Sequence, residues 1–317
     1  MLTMAYDIMI GSYHIGMLDT VEVHRSVELL ADTCKIVLPG AEYNRAIGVE
    51  DKLKRGDKAT VKFGYVETGI VEEFSGYLQT VSADGGSITL TLEDALYTLR
   101  KAIPDATLKA VTLERLLKHV LKAVGSSLQL DCSYTWTYEK FVIAEATAYD
   151  VLKKVQEECA ADIYIQGDTL HVHAVGEKVG VERKYDFAVN VEECDLTYRQ
   201  AADKKYKVKV KATNPDGSIK EVEVGATGGD QIEITCSTAD TASMKLRGEM
   251  ELKRRSFDGY EGSITTWLIP ECLPGDSATL YDDDYPQKDG TYFVTSVTTT
   301  FGKEGGKRKI DLGYKLS

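Results

Sequence analysis

The hydrophobic pattern changes its period along the chain. In the first hundred residues apolar and polar positions alternate in short runs, at 18–23, 34–38, 58–65, 72–81 and 87–92. β-branched and aromatic side chains dominate these runs. Gly40, Gly56, Gly69 and the Asp84-Gly-Gly86 turn punctuate them, which predicts short strands of a barrel or sandwich. In 60–65, Val61, Phe63 and Tyr65 fall on one face, and Thr60, Lys62 and Gly64 on the other.

After Pro104 the period becomes helical. Leu113, Leu116, Leu117, Val120, Leu121 and Val124 form one stripe, with Thr112 as its cap and Gly125 as its stop. A second helix is expected after Thr147, where Thr147-Ala-Tyr-Asp150 reads as a capping box with Asp in the usual place of Glu. Its buried stripe is Val151, Leu152, Val155 and Cys159. A hairpin follows, with strands at 162–165 and 170–175 around the turn 166–169. Strands return from Glu192: 206–212 and 219–224 flank the turn Asn214-Pro-Asp-Gly217, and 231–236 comes next. A helix is expected over 239–255, with Thr238 or Ser237 as its cap.

The C-terminal part then repeats an earlier part. Leu273-Pro-Gly-Asp-Ser-Ala-Thr-Leu280, Gly290-Thr-Tyr-Phe-Val-Thr-Ser-Val297 and Lys309-Ile-Asp-Leu-Gly-Tyr-Lys-Leu316 parallel Leu53-Lys-Arg-Gly-Asp-Lys-Ala-Thr-Val61, Gly76-Tyr-Leu-Gln-Thr-Val81 and Ser87-Ile-Thr-Leu-Thr-Leu92. Two degenerate copies of one module predict an α+β fold that is mainly β: two similar small β-barrel modules with an inserted helix–hairpin α+β domain. The expected division is a first barrel module at 1–102, the insert at 103–192, and a β-hairpin, helix and second barrel module at 193–317. The repeat-defining structural turns are Gly56, Asp57, Gly76 and Tyr77 in the first copy, and Gly275, Asp276, Gly290 and Tyr292 in the second. Glycine permits the sharp lead-in and aspartate accepts hydrogen bonds from nearby amides. No chemistry is assigned to them.

A length of 317 residues fits roughly two or three domains. No apolar run reaches the roughly 18 residues of a membrane span, and no basic patch precedes an apolar run at the N-terminus, so cytoplasmic folding is expected. The formal charge of −12 argues against a duplex-binding protein, which needs a basic footprint. Lys253-Arg-Arg255 and Lys307-Arg-Lys309 are read as solvated faces. The six cysteines form no Cys-x-x-Cys pair and are read as core fillers rather than zinc ligands or disulfides.

Candidate chemistry is sparse. His171 and His173 share a strand face, a spacing that suits a metal, and Glu177 is near. No third ligand follows at a recognisable spacing, so a solvent- or pore-facing pair is expected. Asp282-Asp-Asp284 lacks the alternating ligands of a calcium loop and reads as an exposed acidic loop. Glu72-Glu73 and Glu192-Glu193 are adjacent on strands and point to opposite faces, so neither is a catalytic dyad. No phosphate loop, nucleophile elbow or dinucleotide fingerprint occurs, and Gly225 to Gly229 is a plain loop. The expectation is a non-enzyme with no cofactor and no metal. Tyr65, Tyr77, Tyr292 and Tyr314 read as barrel tyrosines before interface ones.

The order of these pieces resembles the baseplate hub proteins of contractile phage tails, the late-control gene D family, with Mu-like prophage tail proteins and type VI secretion spike hubs similar. The resemblance is carried by Pro274-Gly-Asp276, the 290–297 strand, Arg308 to Leu316, Gly56 to Val61 and Phe74-Ser-Gly-Tyr77, and it covers nearly the whole chain. It implies a structural baseplate hub in the virion tail. It implies, too, a homotrimer of two-barrel chains, a pseudo-sixfold ring that adapts the hexameric tail tube protein to a trimeric spike protein. It also implies contact with the tape-measure protein and passage of DNA without specific binding, for which an acidic lumen would be suited. The alternatives are a peptidoglycan-binding or peptidoglycan-degrading tail-tip enzyme and a type VI secretion hub.

Overall fold

The computed structural model describes residues 2–40, 52–84, 86–174, 176–177, 179–199, 205–214 and 216–316. Gly85, Val175 and Pro215, which fall in the expected turns and hairpin, lie outside the described residues. The chain begins with β1 (Met4–Ile10), β2 (Tyr13–His14), β3 (Thr20–Ser26), β4 (Thr33–Leu38), β5 (Lys58–Tyr65), β6 (Gly69–Asp84) and β7 (Ser87–Glu93). The middle holds β8 (Ala106–Thr112), α1 (Leu113–Val124), β9 (Gln129–Cys132), β10 (Thr137–Ile143), α2 (Ala148–Cys159), β11 (Asp162–Gln166) and β12 (Thr169–His173). Then come β13 (Glu182–Asp186), β14 (Val191–Arg199), β15 (Tyr206–Thr213), β16 (Ile219–Gly225), β17 (Asp230–Cys236) and α3 (Thr241–Arg255). The chain closes with β18 (Gly259–Trp267), β19 (Ser277–Tyr281), β20 (Gly290–Gly302) and β21 (Gly305–Lys315). The fold is α+β and mainly β.

The two halves of the repeat share one 13-stranded sheet, in the order β14-β18-β21-β20-β3-β4-β7-β6-β5-β1-β2, with β19 bridging β20 and β13. Each half keeps its own core because its strands alternate. Cys34, Ile36 and Leu38, Val61, Phe63 and Tyr65, and Ile88, Leu90 and Leu92 all point inward in the first half. Tyr185, Ile264, Leu280, Tyr292, Val294 and Ile310 fill the second. The junction is a ladder between β20 and β3, running from Ser296↔Ser26 to Gly302↔Thr20.

The helices follow their local signals. Thr112 Oγ1 accepts from Arg115 N, and Gly125 takes the left-handed conformation at the end of α1. The Thr147–Asp150 capping box is complete at the start of α2. The cap of α3 is Asp240 rather than Thr238 or Ser237: its carboxylate accepts from Ser243 N, while Thr238 Oγ1 donates to Thr137 O.

Packing groups the middle of the chain differently from the boundaries 103–192 and 193–317. Val208, Val210, Cys236 and Met244 share one core with Leu116, Val120, Leu152 and Ile163, so β15 to α3 pack with the helical segment. Conversely, β13 pairs in parallel with β19, and Tyr185 joins the second-module core. Apolar faces choose the nearest complementary face in space, whatever their order in sequence. Two further departures concern charge. Arg308, read as solvated, is 1% exposed, and Asp282, read as part of an exposed loop, is buried and accepts from Asp284 N, Tyr285 N and Lys288 Nζ.

Candidate functional site: the paired modules and their seam

The two lead-in turns are built bond for bond alike. In the first, Gly56 N donates to Leu78 O (2.8 Å), Leu78 N to Asp57 O (2.9 Å), Asp57 N to Lys54 O (2.9 Å), and Lys54 N to Asp57 Oδ2 (2.8 Å). In the second, Gly275 N donates to Val294 O (2.8 Å), Val294 N to Asp276 O (2.9 Å), Asp276 N to Leu273 O (3.0 Å), and Leu273 N to Asp276 Oδ2 (3.0 Å). Gly56 has φ 91° and Gly275 φ 90°, a region open to glycine and strained for other residues. Each turn thus pins its strand to the middle of the next one.

This equivalence corrects the alignment of the second strands. Ala59 faces Gly76 as Ala278 faces Tyr292, so Gly76 corresponds to Tyr292 and not to Gly290. Gly76 and Tyr77 lie inside β6, and Gly290 and Tyr292 lie in β20; none of the four is in a turn. Gly76 answers to close approach instead, since a Cβ there would sit 2.2 Å from Glu93 O. At the matching place Tyr292 is buried and its hydroxyl accepts from Tyr260 N at 3.2 Å. Tyr65 and Tyr314 are also buried, and Tyr77 stacks on Tyr97 at 5.7 Å.

The seam between modules carries buried polar contacts. Arg308 on β21 grips Glu73 on β6 with two bonds, Nη2–Oε1 at 2.7 Å and Nη1–Oε2 at 3.2 Å. Arg308 also donates to Thr299 Oγ1 (2.9 Å) and Leu268 O (3.2 Å). Arg25 on β3 donates to the Glu73 carbonyl. Beside this cluster Phe301 leaves its own module and packs on Phe63, with ring centroids 4.8 Å apart. These contacts hold the modules at one mutual angle.

A second junction ties the first module to the helices. Glu93 accepts from Arg100 Nε at 2.9 Å, and the Arg100 guanidinium lies 3.7 Å from the Tyr149 ring centre on α2. Next to Glu93, burial and then the Asp32 carboxylate push Asp94 up to about 8. Its oxygens accept from Leu96 N and Asp32 N.

The main strand path has two outer ends, one per module, and β13 forms a further edge on the branch beside β19. Among the described residues nothing pairs with the outer side of β14, and only the two-residue β2 pairs with the outer side of β1. Exposed strand edges are pairing surfaces. Sequence reasoning did not find β1, because its residues 4–10 are a mixed apolar run without turn signals before it. His171 and His173 lie on β12 with Asp131 of β9 beside them, and Glu177 instead accepts from Ala174 N in a local turn.

No family model and no curated protein matches the sequence. Solved structures do match the whole fold. A tail protein from Neisseria meningitidis MC58 superposes with a TM-score of 0.69 at 14% identity, over 98% of this chain and 96% of that one. The 43 kDa tail protein of prophage MuSo2 from Shewanella oneidensis gives 0.67 at 14% identity, over 97% of each chain. The E. coli c3393 protein, a component of the type VI secretion system, gives 0.62 at 12% identity, over 98% of this chain and 77% of that one. This chain therefore has the fold of known phage and prophage tail proteins.

Proposed function

We propose that the chain is a structural, non-enzymatic hub of a phage or prophage tail baseplate. Three copies form a ring of six similar modules, whose one face meets a hexameric tail tube while the other keeps true threefold symmetry for a spike. The observation that carries this reading is the bond-for-bond identity of the two lead-in turns. A single chain presents the same module twice, which is what a threefold object needs to meet a sixfold one. The two open sheet ends support it, since pairing β14 of one copy with β1 of the next is a head-to-tail contact that closes into a ring. The likeness to the Neisseria meningitidis and prophage MuSo2 tail proteins supports the setting.

On this reading the protein is made in the bacterial cytoplasm and assembled into the virion. Among the described residues no helix is long and apolar enough to cross a membrane. The net charge of −12 suits a lumen through which DNA and tape-measure protein pass without sticking. The matched type VI component favours a second reading, a secretion-spike hub of the same architecture.

The test is light scattering of the purified chain, alone and mixed with its tube protein, with class averages from electron micrographs. A three-chain particle that looks sixfold in projection is expected. A monomer under both conditions would sink the proposal, and clearing of peptidoglycan in a zymogram would favour the tail-tip enzyme instead.

A further inference from the structure

A cluster on the three-stranded sheet β11-β12-β9 goes beyond the tail role. The parallel register of β9 and β12 places Asp131 opposite His171, and His173 follows two positions on along the same face. Three ligand-type atoms converge there. Asp131 Oδ2 lies 3.1 Å from His171 Nδ1 and 3.5 Å from His173 Nε2, and the two ring nitrogens lie 3.4 Å apart.

This triangle has the dimensions of one face of a tetrahedral coordination shell. An ion with bonds of about 2.0–2.1 Å holds its ligand atoms about 3.3 Å apart. A proton bridges one pair of these atoms at a time, whereas one cation satisfies all three.

The surroundings orient the rings as an ion requires. Ser133 Oγ lies 2.7 Å from His173 Nδ1. With Nδ1–H donating to Ser133, Nε2 presents its lone pair to the cluster, the usual outer support of a metal-bound imidazole. Tyr164 stacks on His171 at 5.0 Å with 16° between the planes, which fixes the second ring. His173 is buried, His171 is mostly buried, and Asp131 is 40% exposed, so the fourth position opens to water on its side. The intervening Cys132 faces the helical core and takes no part.

We propose that Asp131, His171 and His173 bind a divalent transition-metal ion, with Zn2+ the best fit to two imidazoles, one carboxylate and a tetrahedral face. The ion fastens β9, paired over only four positions, to β12.

The test uses the full chain stripped with a chelator, then titrated with Co2+ as a spectroscopic stand-in and with Zn2+ in thermal melts. Expected are visible d–d bands saturating at one ion per chain and a Zn2+-dependent rise in melting temperature. His171→Ala and Asp131→Asn should each weaken binding at least about 100-fold, and Ser133→Ala about 10-fold. His119→Ala, on the exposed face of α1, should bind as the parent does. Because His173 is buried and its loss endangers folding, the more exposed His171 and Asp131 variants decide the matter. Absence of both signals in the parent would mean a hydrogen-bonded trio only. Full binding in both deciding variants would place the ion elsewhere. Either result overturns the proposal.

Discussion

Arg308 and Glu73 stand 235 positions apart in the chain and meet as a buried, doubly bonded ion pair across the seam of the two modules. Removing one partner leaves the other charge in a dry site. Arg308→Met should therefore cost about 3–5 kcal/mol of stability. Replacing both, as Glu73→Leu with Arg308→Met, should cost less than the single change, because no charge is stranded. Denaturant unfolding of the four proteins at one concentration measures this, and a double variant as unstable as the sum of the singles would contradict it.

The matched lead-in turns predict matched penalties. Gly56→Ala and Gly275→Ala each force a Cβ onto a backbone with φ near 90°; the Cβ meets open space at Gly275 and ordinary van der Waals contact with Tyr97, at 3.6 Å, at Gly56. Each should lower stability by about 1–2 kcal/mol, with the two losses agreeing within roughly half a kcal/mol. Thermal melts of both variants test the equivalence. A loss at one site and none at the other would break it.

The aspartates beside those glycines should differ. Asp57 accepts from Lys54 N, whereas Asp276 is buried and accepts from Leu273 N, from Val181 N at 2.8 Å and from Arg183 Nε at 3.3 Å. Asp57→Ala should cost about 1 kcal/mol and Asp276→Ala about 2–4 kcal/mol, since the latter removes the acceptor of three part-buried donors at once. Equal losses in paired denaturation curves would mean that the contacts to β13 contribute nothing.

Asp94 gives a pH dependence with a definite sign. Its folded carboxyl is pushed up to about 8 by burial and by Asp32. Below pH ~4 it is protonated in both states, and its contribution to stability is fully present. Between about 4 and about 8 the unfolded chain releases this proton and the folded chain keeps it. Stability therefore falls as pH rises, with a limiting slope of about 1.4 kcal/mol per pH unit. Asp94→Asn should flatten the decline in unfolding free energy measured between about pH 5 and pH 9. An unchanged decline in that variant would assign it to other groups.

What was legible in the sequence was local. The stripe Leu113 to Leu121, the cap at Thr112, the capping box of Thr147 and Asp150, and the inward face of Val61, Phe63 and Tyr65 each depend on neighbours a few positions away. The Gly-Asp pairs at 56–57 and 275–276 are local signals of the same kind, and they carry matching φ and hydrogen bonds. The pairing of Gly76 with Gly290 failed because a glycine in a strand signals close approach as readily as a turn.

Tertiary structure alone decided the partners brought together from afar. Glu73 found Arg308 only when β20 lay beside β3, and Asp131 reached His171 and His173 only through the parallel register of β9 and β12. The return of β15 to α3 to the helical core likewise followed complementary apolar faces. Sequence periodicity says which face of an element is buried. Which other element covers that face is set by chain topology and side-chain volume, quantities that no short window of sequence contains.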